Sequence, residues 1–292
     1  MTTCYGFKIR AIEKVLLLPF KPKQPLSIPL NAHVLSVLAG PNIEVCSVTL
    51  TDQQLSISYA KEVEAIQPHG LIAIDRNLDN LTVADSDGHI TKHNLAKATE
   101  IKGMYREIRS HMRRNDLRIR QRITGKYGRK QHEKVKRILH HASKQIVLSA
   151  KHREFGIVME KLTGIRKLYR KGNWQGRGYR GMMNSWSYYE LQRQIEYKAH
   201  WEGILVTYVN PYGTSVKCSI CGSRMKPEEN RKLKCRSCGF MVDRDVNAAR
   251  NILARGVRFA PFASACEPMV QEPQRRVILK VDADELTWRS AT

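Results

Sequence analysis

The stretch GLIAIDRNLDNLTVADSDGHITKHNL, residues 70–95, decides the fold class of this 292-residue chain. It contains an apolar strand at 71–74, a second strand at 81–84 and a third short strand, separated by turns at 76–80 and 85–88. Short apolar runs bounded by Asn, Asp and Gly are typical of β-strands joined by tight turns. The pattern therefore predicts an antiparallel β meander whose first strand is buried and ends at Asp75.

Downstream of the meander, the sequence predicts alternating helices and strands. Residues 96–152 contain no proline and place apolar residues at helical spacing, which predicts two long helices with a break near residues 124–127. FGIVMEKL, residues 155–162, predicts a buried strand that ends in Glu160. The remaining predicted segments are a polar loop at 163–184, a helix near 187–201, a strand at 204–209 and a helix at 247–257.

Upstream of the meander, residues 1–68 read as a small β-rich module. Its strand-like pieces are HVLSVLAG, residues 33–40, and EVCSVTLTDQQLSISYA, residues 44–60, which are broken by Pro, Asn and Gly. The C-terminal tail, residues 259–292, shows little periodicity, and no element is predicted there.

The charge balance indicates a polyanionic partner. The chain has 50 Lys and Arg against 27 Asp and Glu, a formal charge of +23. About two dozen of these cations and only about five acids lie between Lys102 and Arg180, a density expected where a nucleic-acid backbone is bound. A membrane surface is the competing interpretation, but the stretch lacks the Trp and Phe face of an interfacial helix.

No apolar run approaches the roughly 18 to 20 residues of a membrane span, so we expect no membrane partner. The short apolar patch near the start contains Glu13 and Lys14 and is followed by Pro19, which is unlike a secretory signal. We therefore expect a cytoplasmic prokaryotic protein that is associated with the nucleoid when it is on DNA. Protein partners are left undetermined.

Four of the seven cysteines form a metal-binding pattern. Two Cys-x-x-Cys pairs, Cys218 with Cys221 and Cys235 with Cys238, have the spacing of a four-thiolate zinc ribbon, in which Gly222 and Gly239 relax the turns. Free thiols or a disulfide pair are the alternative, which a reducing compartment disfavours. One bound Zn²⁺ would stabilise the fold and take no part in chemistry, because such a site is closed.

Three acids are candidates for the chemistry. Asp75 and Glu160 each end an apolar strand, and Asp245 opens a helix just after the cysteines. Singly, each acid is better explained by a turn or by helix capping. Together, three acids at the rim of one sheet repel each other unless cations lie among them, and two Mg²⁺ ions about 3.5 to 4 Å apart would suit both the acids and phosphodiester cleavage.

Four segments resemble the RuvC-type motifs and zinc ribbon of the TnpB (OrfB) family, RNA-guided nucleases encoded by insertion sequences and related to type V CRISPR effectors. The segments are GLIAIDRNLDNLTV, IVMEKL, YKAHWEGILVTYVNPYGTSVKCSICG and CRSCGFMVDRDVNAARNIL, within residues 68–255. The resemblance implies that Asp75, Glu160 and Asp245 are the catalytic, Mg²⁺-binding acids. Asp243, by contrast, is expected to cap or orient the helix.

The resemblance also implies the architecture. We expect an α/β, RNase H-like (RuvC-type) nuclease domain at residues 69–212 and 240–258, with a helical insertion and a four-cysteine zinc ribbon at 213–239. The module at 1–68 would be a partial β-barrel. Family members carry long recognition helices in that module, and only about 68 residues precede the first motif here, so we expect those helices to be missing.

The activity implied is that of an RNA-guided, Mg²⁺-dependent DNA endonuclease of a transposable element, with a guide RNA from that element and a double-stranded DNA target as partners. The alternative is a non-cleaving RNA- or DNA-binding protein of the same fold that acts by occupancy or regulation. Trp174, Tyr179 and Trp186 could stack on bases or pack internally. The candidate nucleic-acid contacts are Arg113, Arg114, Arg118, Arg120, Arg129, Lys130, Arg166, Lys167, Arg170, Lys171, Arg177 and Arg180.

Overall fold

The computed structural model describes residues 2–4, 6–10, 12–21, 24–51, 55–112, 115–169, 174–259 and 274–283. These residues have a mixed α/β architecture and form two compact units. The first unit contains the strands before residue 65 together with the strand at 274–283, and the second contains the described residues from 65 to 259.

The elements follow one another along the chain in two groups and a final strand. Those of the first unit are β1 (Thr2–Cys4), β2 (Lys8–Arg10), β3 (Val15–Lys21), β4 (Gln24–Pro29), α1 (Ala32–Leu38), β5 (Glu44–Leu50) and β6 (Leu55–Glu64). Those of the second unit are β7 (Gly70–Arg76), β8 (Asn80–Asp85), β9 (Ile90–Asn94), α2 (Ala96–Ser110), α3 (Thr124–His152), β10 (Phe155–Glu160), α4 (Arg177–Asn184), α5 (Tyr188–Trp201), β11 (Val206–Val209), β12 (Met225–Pro227), β13 (Lys232–Cys235), β14 (Met241–Asp243) and α6 (Arg244–Phe259). The final strand is β15 (Gln274–Ala283).

The first unit consists of two antiparallel sheets, with strand orders β2-β3-β4 and β1-β5-β6-β15. The strand predicted at residues 33–40 is wrong, because that segment is helix α1. Asn31 caps this helix by accepting a hydrogen bond from the Val34 N–H at 2.8 Å, a start signal that outweighs the apolar run behind it. The tail, for which no element was predicted, contributes β15.

The second unit is built on a five-stranded sheet with the order β11-β10-β7-β8-β9. β7, β8 and β9 form the predicted antiparallel meander, while β10 and β11 run parallel to β7. Every residue of β7 and β10 is buried. Both strands are therefore covered on their two faces, which explains why they read as continuous apolar runs.

Different helices cover the two faces of this sheet. Ile72 and Ile74 belong to a large core with side chains of α2, α3 and α5, whereas Leu71 and Ala73 belong to a smaller core with α6. Within the described residues, no helix is long and apolar enough to cross a membrane.

Two predicted features of the segments between β9 and α5 are wrong. The break lies between α2 and a π-helical turn at Ile119–Ile123, and α3 runs unbroken through residues 124–127. Asp116 caps the helical segment that leads into α3, since its Oδ1 accepts hydrogen bonds from the N–H groups of Arg118 and Ile119 at 2.8 and 3.2 Å. The loop predicted at 163–184 contains a 3₁₀ turn at Ile165–Tyr169 and the short helix α4.

The cysteine region forms its own small antiparallel sheet, β12-β13-β14. It lies between β11 and α6 in the chain, so its last strand leads directly into α6. We refer to residues 213–239 as the ribbon.

Candidate functional site

Asp75 and Glu160 lie side by side at the carboxyl ends of two parallel strands. β7 and β10 pair with Ile74 opposite Met159, so the next residue on each strand is an acid. Residues at matching positions of neighbouring strands point to the same face of a sheet. Both carboxylates therefore project from the face that α6 covers, with only 7% and 8% of each residue exposed.

α6 carries the third acid to the same sheet edge. Asp245, Ala249, Ile252 and Gly256 recur at helical spacing and form its inward face. A Cβ added at Gly256 would lie 2.6 Å from Cγ2 of Val158, so helix and sheet touch closely there. The same Cβ would lie 3.2 Å from Cδ1 of Leu71. From Gly256 the helix rises about 16 Å back to Asp245, and from Leu71 strand β7 rises about 13 Å to Asp75. Asp245 is 4% exposed.

Each acid has one neutral or cationic donor at hydrogen-bond distance. Asn77 Nδ2 donates to Asp75 Oδ2 at 2.8 Å, and Thr214 Oγ1 donates to Glu160 Oε1 at 2.6 Å. Asp245 Oδ1 forms an ion pair with Arg231 Nη2 at 2.6 Å. Thr214 and Arg231 both belong to the ribbon, which therefore supplies partners for two of the three acids.

Asp75 interacts electrostatically with the two other acids. Burial raises the pKa of Asp75 to about 7, and the negative charges of Glu160 and Asp245 add to this effect while the Asn77 hydrogen bond opposes it. Burial also raises the pKa of Glu160, opposed by the Thr214 hydroxyl and by Arg76. The pocket thus holds more negative charge than its surroundings neutralise.

The donor set suits a hard divalent cation. Carboxylate oxygens are the ligands that Mg²⁺ prefers, and a cation among these three would relieve their mutual repulsion. The oxygens of the three carboxylates do not all lie within 4.8 Å of one another, whereas the four cysteine sulfurs do. Each carboxylate binds its own donor, and the guanidinium of Arg231 neutralises that of Asp245.

Arg231 reaches Asp245 from an unusual backbone position. It sits on the turn between β12 and β13, where Asn230 and Arg231 have φ of 54° and 60°, in the left-handed region that costs energy for residues other than glycine. The Arg244 N–H donates to the Arg231 carbonyl at 2.9 Å, which ties this turn to the start of α6. The Arg231 side chain remains 61% exposed, whereas that of Asp245 is 5% exposed.

Asp243 caps α6, as predicted. Its Oδ1 accepts hydrogen bonds from the N–H groups of Asp245 and Val246 at 2.9 and 3.2 Å. Its other oxygen pairs with Lys92 Nζ at 3.1 Å, and these bonds lower the pKa of Asp243 against the opposing effect of burial. Asp243 orients the first turn that carries Asp245.

The four predicted cysteines come together. Their sulfurs all lie within 4.8 Å of one another, with Sγ distances of 3.8 Å between Cys218 and Cys238 and 3.4 Å between Cys221 and Cys235. Zinc–sulfur bonds of about 2.3 Å in a tetrahedron give sulfur–sulfur distances of about 3.8 Å. The cluster therefore fits one tetrahedral metal ion of zinc size.

The turns around the cysteines are also those of a metal knuckle. The N–H groups of Ile220 and Cys238 donate to Cys218 Sγ and Cys235 Sγ at 3.4 and 3.5 Å. Gly222 and Gly239 have φ of 75° and 72°, as the turns after each pair require.

Two asparagines of α6 fasten the ribbon to the helix, and the sequence analysis missed both. Asn247 is fully buried; its Oδ1 accepts from the Ser219 N–H at 3.0 Å and its Nδ2 donates to the Lys217 carbonyl at 2.7 Å. Asn251 Nδ2 donates to the carbonyls of Thr214 and Lys217 at 2.8 and 2.7 Å. Their spacing of four residues on a helix was the available signal.

Arg76 is a third residue that the sequence patterns did not predict. It follows Asp75 on β7 and is 3% exposed. Its guanidinium donates to the backbone carbonyl of Glu160 and to Gln192 Oε1, the latter at 2.8 Å. Burial lowers the pKa of Arg76. The contact joins the ends of β7 and β10, directly behind the two strand-end acids.

Most of the predicted nucleic-acid contacts that lie within the described residues are exposed. Arg113, Arg114, Arg170 and Lys171 lie outside the described residues. Arg180 is partly buried and donates to the Gln175 carbonyl. The exposed cations are Arg118, Arg120, Arg129, Lys130, Arg166, Lys167 and Arg177.

The three aromatic candidates differ. Trp174 is fully exposed and Tyr179 is 45% exposed, so both rings are accessible. Trp186 is partly buried; its Nε1 donates to the Asn77 carbonyl at 2.9 Å and its ring lies 5.1 Å from that of Tyr188. Trp186 therefore packs internally.

The chain is similar to known proteins over part or most of its length. Residues 188–252 match the Cas12f1-like TNB domain model. A TnpB-like protein of Methanocaldococcus jannaschii is 30% identical over 232 residues, which cover 76% of this chain and 82% of that protein. InsQ of Escherichia coli, described as a candidate RNA-guided DNA endonuclease, is 39% identical over 97 residues, 31% of this chain and 24% of InsQ.

Among solved structures, the Cas12f1–sgRNA–target DNA complex aligns with 79% of this chain and 58% of that one, at 19% identity and a TM-score of 0.48. On the evidence of the archaeal relative, the chain belongs to the TnpB family, which is related to the type V effectors.

Proposed function

We propose that this chain is an RNA-guided, Mg²⁺-dependent DNA endonuclease whose ligands for two Mg²⁺ ions are Asp75, Glu160 and Asp245. The observation that carries the proposal is the set of three buried acids at one sheet edge, two on adjacent parallel strands and one on the helix above them. A structural role alone gives no reason to bury three carboxylates together, where burial and the charges of Glu160 and Asp245 raise the pKa of Asp75 to about 7.

We assign the nuclease unit an RNase H-like (RuvC-type) fold, formed by residues 69–212 and 240–258, with residues 213–239 as a zinc ribbon. The strand order supports this assignment: three antiparallel strands are followed by two that run parallel to the first. The residues before β7 are assigned to a separate partial β-barrel module. Such an enzyme would work at the nucleoid.

We assign different roles to the residues of the pocket. Asn77 and Thr214 hold the carboxylates of Asp75 and Glu160 by donating to one oxygen of each, which leaves the other oxygen available as a ligand. Mg²⁺ bound to these oxygens would supply Lewis-acid stabilisation of charge on a phosphoryl group. Arg244 and Arg255 act electrostatically on the acids and would attract the phosphodiester backbone.

The four cysteines would hold one structural Zn²⁺. This ion keeps the ribbon folded, and the ribbon supplies Thr214 and Arg231 to the acid pocket. The zinc therefore acts on the reaction only through the positions of these side chains.

The partners we propose are a guide RNA from the mobile element and a double-stranded DNA target. They are suggested by the description of InsQ and by the net charge of +23. The guide would select the sequence by base pairing while the protein binds the backbone.

The test is cleavage by the full chain with its copurified RNA. The RNA is sequenced, and a plasmid carrying the matching sequence is incubated with Mg²⁺ or with EDTA. We expect Mg²⁺-dependent cutting that falls more than about a hundredfold in Asp75→Asn, because a metal ligand is lost. Asp79→Asn, an exposed aspartate on the next turn, is the matched control and should cut normally.

Tight RNA-dependent DNA binding without cutting, unaffected by Asp75→Asn, would reject the nuclease and favour the non-cleaving binding protein. Cutting that persists in both variants would reject the acid assignment alone.

A further inference from the structure

A cationic groove lies between the edge strand β9 and helix α3, outside the acid pocket. It has a volume of about 530 Å³, within the range of about 300 to 1,000 Å³ of pockets that bind small organic groups. Ile138 and Ala142 contribute to its lining from α3. Its polar lining consists of Lys92, His93, Asn94, Arg137, His141 and Gln145.

The chemistry of this β9–α3 groove favours an anion with hydrogen-bonding groups. It is lined by two full cations, two imidazoles and two amides, and no carboxylate is among its lining residues. The side chain of Arg137 has no hydrogen-bond or ion-pair partner within the part of the chain that the structure describes. Its guanidinium is therefore available to a phosphate.

Lysine, arginine and histidine side chains of α3 extend the groove along the helix. Lys130, Lys134, Arg137 and His141 are spaced three or four residues apart, so they share one face over about 16 Å of helix. A row of this length matches several phosphates of an extended strand better than one small anion.

The groove and the acid pocket lie on opposite faces of the sheet and meet around its β9 edge, because α3 covers the face of Ile72 and Ile74 whereas Asp75 projects from the face that α6 covers. Asp75 pairs with Thr82, and Thr82 pairs with Lys92, so the three residues form one row across β7, β8 and β9. Two strand spacings separate Lys92 from Asp75, about 10 Å. Lys92 also reaches Asp243, which caps the turn that carries Asp245.

We propose that the β9–α3 groove binds a single strand of DNA and leads it around the β9 edge, past Lys92, to the acid pocket. The inference rests on the proposed function for the identity of the strand, since the strand that reaches the acids is the one to be cut. Arg137 and Lys92 bind its phosphates, and the Asn94 and Gln145 amides face its sugars and bases.

The charge of the groove selects this occupant over a peptide. β9 is an edge strand, and an edge can also pair with an extended peptide through backbone hydrogen bonds. Lys92 already pairs with Asp243, but an ordinary peptide would leave the Arg137 guanidinium without a partner. A polyanionic strand pairs with Arg137 and releases counterions as it binds.

The experiment measures strand binding without cleavage. The full chain with its copurified RNA is titrated with fluorescent single-stranded DNA in EDTA at several salt concentrations. Arg137→Ala should weaken binding about fivefold near 0.1 M salt and reduce the slope of log affinity against log salt by about 0.7, the value for one phosphate contact. Lys144→Ala, an exposed cation of the same helix outside the groove, should change neither.

A photoreactive amino acid at His141 or at Lys144 then locates the strand. We expect cross-links to labelled DNA from position 141 only. Cross-links to the RNA, or equal losses of affinity in Arg137→Ala and Lys144→Ala, would overturn the groove assignment even for a chain that cuts DNA. A chain that binds DNA through the groove and never cuts it would refute the nuclease and leave the groove as a DNA site.

Discussion

Replacing Asp75 with asparagine should stabilise the metal-free protein, and increasingly so as the pH rises. Asp75 is buried beside two other acids, and its pKa is raised to about 7 from an ordinary value of 3.8. The folded chain therefore holds this proton more tightly than the unfolded chain. Its stability falls as the pH rises between these two values, because a charge must then remain buried.

The size of the effect follows from the two pKa values. A difference of about three pH units corresponds to about 4 kcal/mol once the pH exceeds both pKa values. Between about pH 5 and pH 8, wild type should lose about 2.5 kcal/mol relative to Asp75→Asn. The asparagine is nearly isosteric and carries no charge, so the variant has no such pH dependence at this position.

The assay is urea unfolding in EDTA at both pH values, followed by tryptophan fluorescence. Asp79→Asn serves as the control, because its side chain is exposed and should not alter the pH dependence. Adding Mg²⁺ near pH 8 should raise the free energy of unfolding of the wild-type protein and have little effect on that of Asp75→Asn.

A stability difference that stays constant or shrinks as the pH rises would refute the reasoning. It would mean that Asp75 is well solvated or already neutralised in the folded chain. Stabilisation of Asp75→Asn by Mg²⁺ equal to that of wild type would separately reject Asp75 as a ligand.

Three other changes test the surrounding structure. Cys235→Ser should lose the bound zinc and melt at a lower temperature, seen by metal analysis and calorimetry; full zinc content with unchanged melting would contradict the ribbon assignment. Arg231→Met should raise Mg²⁺ affinity about fivefold by calorimetric titration, since a competing charge-assisted contact is lost; unchanged affinity would show that the guanidinium does not compete. Gly256→Ala should lower the free energy of unfolding in urea by about 1 to 3 kcal/mol, because the added methyl group would press against Val158. Gly125→Ala has open space around its Cβ and should be neutral or stabilising. Equal effects of the two substitutions would argue against tight packing of α6.

The acids and cysteines were accessible from sequence because their signals are local. Asp75 and Glu160 end fully buried strands, so the apolar run and the acid are adjacent in the chain. The cysteines repeat a fixed spacing. Whether the three acids act as predicted stays a prediction, but their burial at one sheet edge follows from the strand pattern and the amphipathic spacing of α6.

The partners of the acids were not accessible because they depend on how distant segments fold back. Arg231 meets Asp245 only through a turn with two residues in the left-handed region, and Thr214 meets Glu160 across 54 positions of sequence. The helix at 32–38 was missed because its apolar residues resemble a strand. Its cap, Asn31, was the better indicator.

The pairing of β15 with β6 has a consequence for how the chain is made. Ten consecutive residue pairs join a strand that ends at Glu64 to one that begins at Gln274. On a ribosome that adds about 5 to 20 residues per second, β6 waits roughly 10 to 40 seconds for this neighbour. Its edge stays open to other nascent chains during that time, so chaperone supply and translation speed should govern how much of the protein matures.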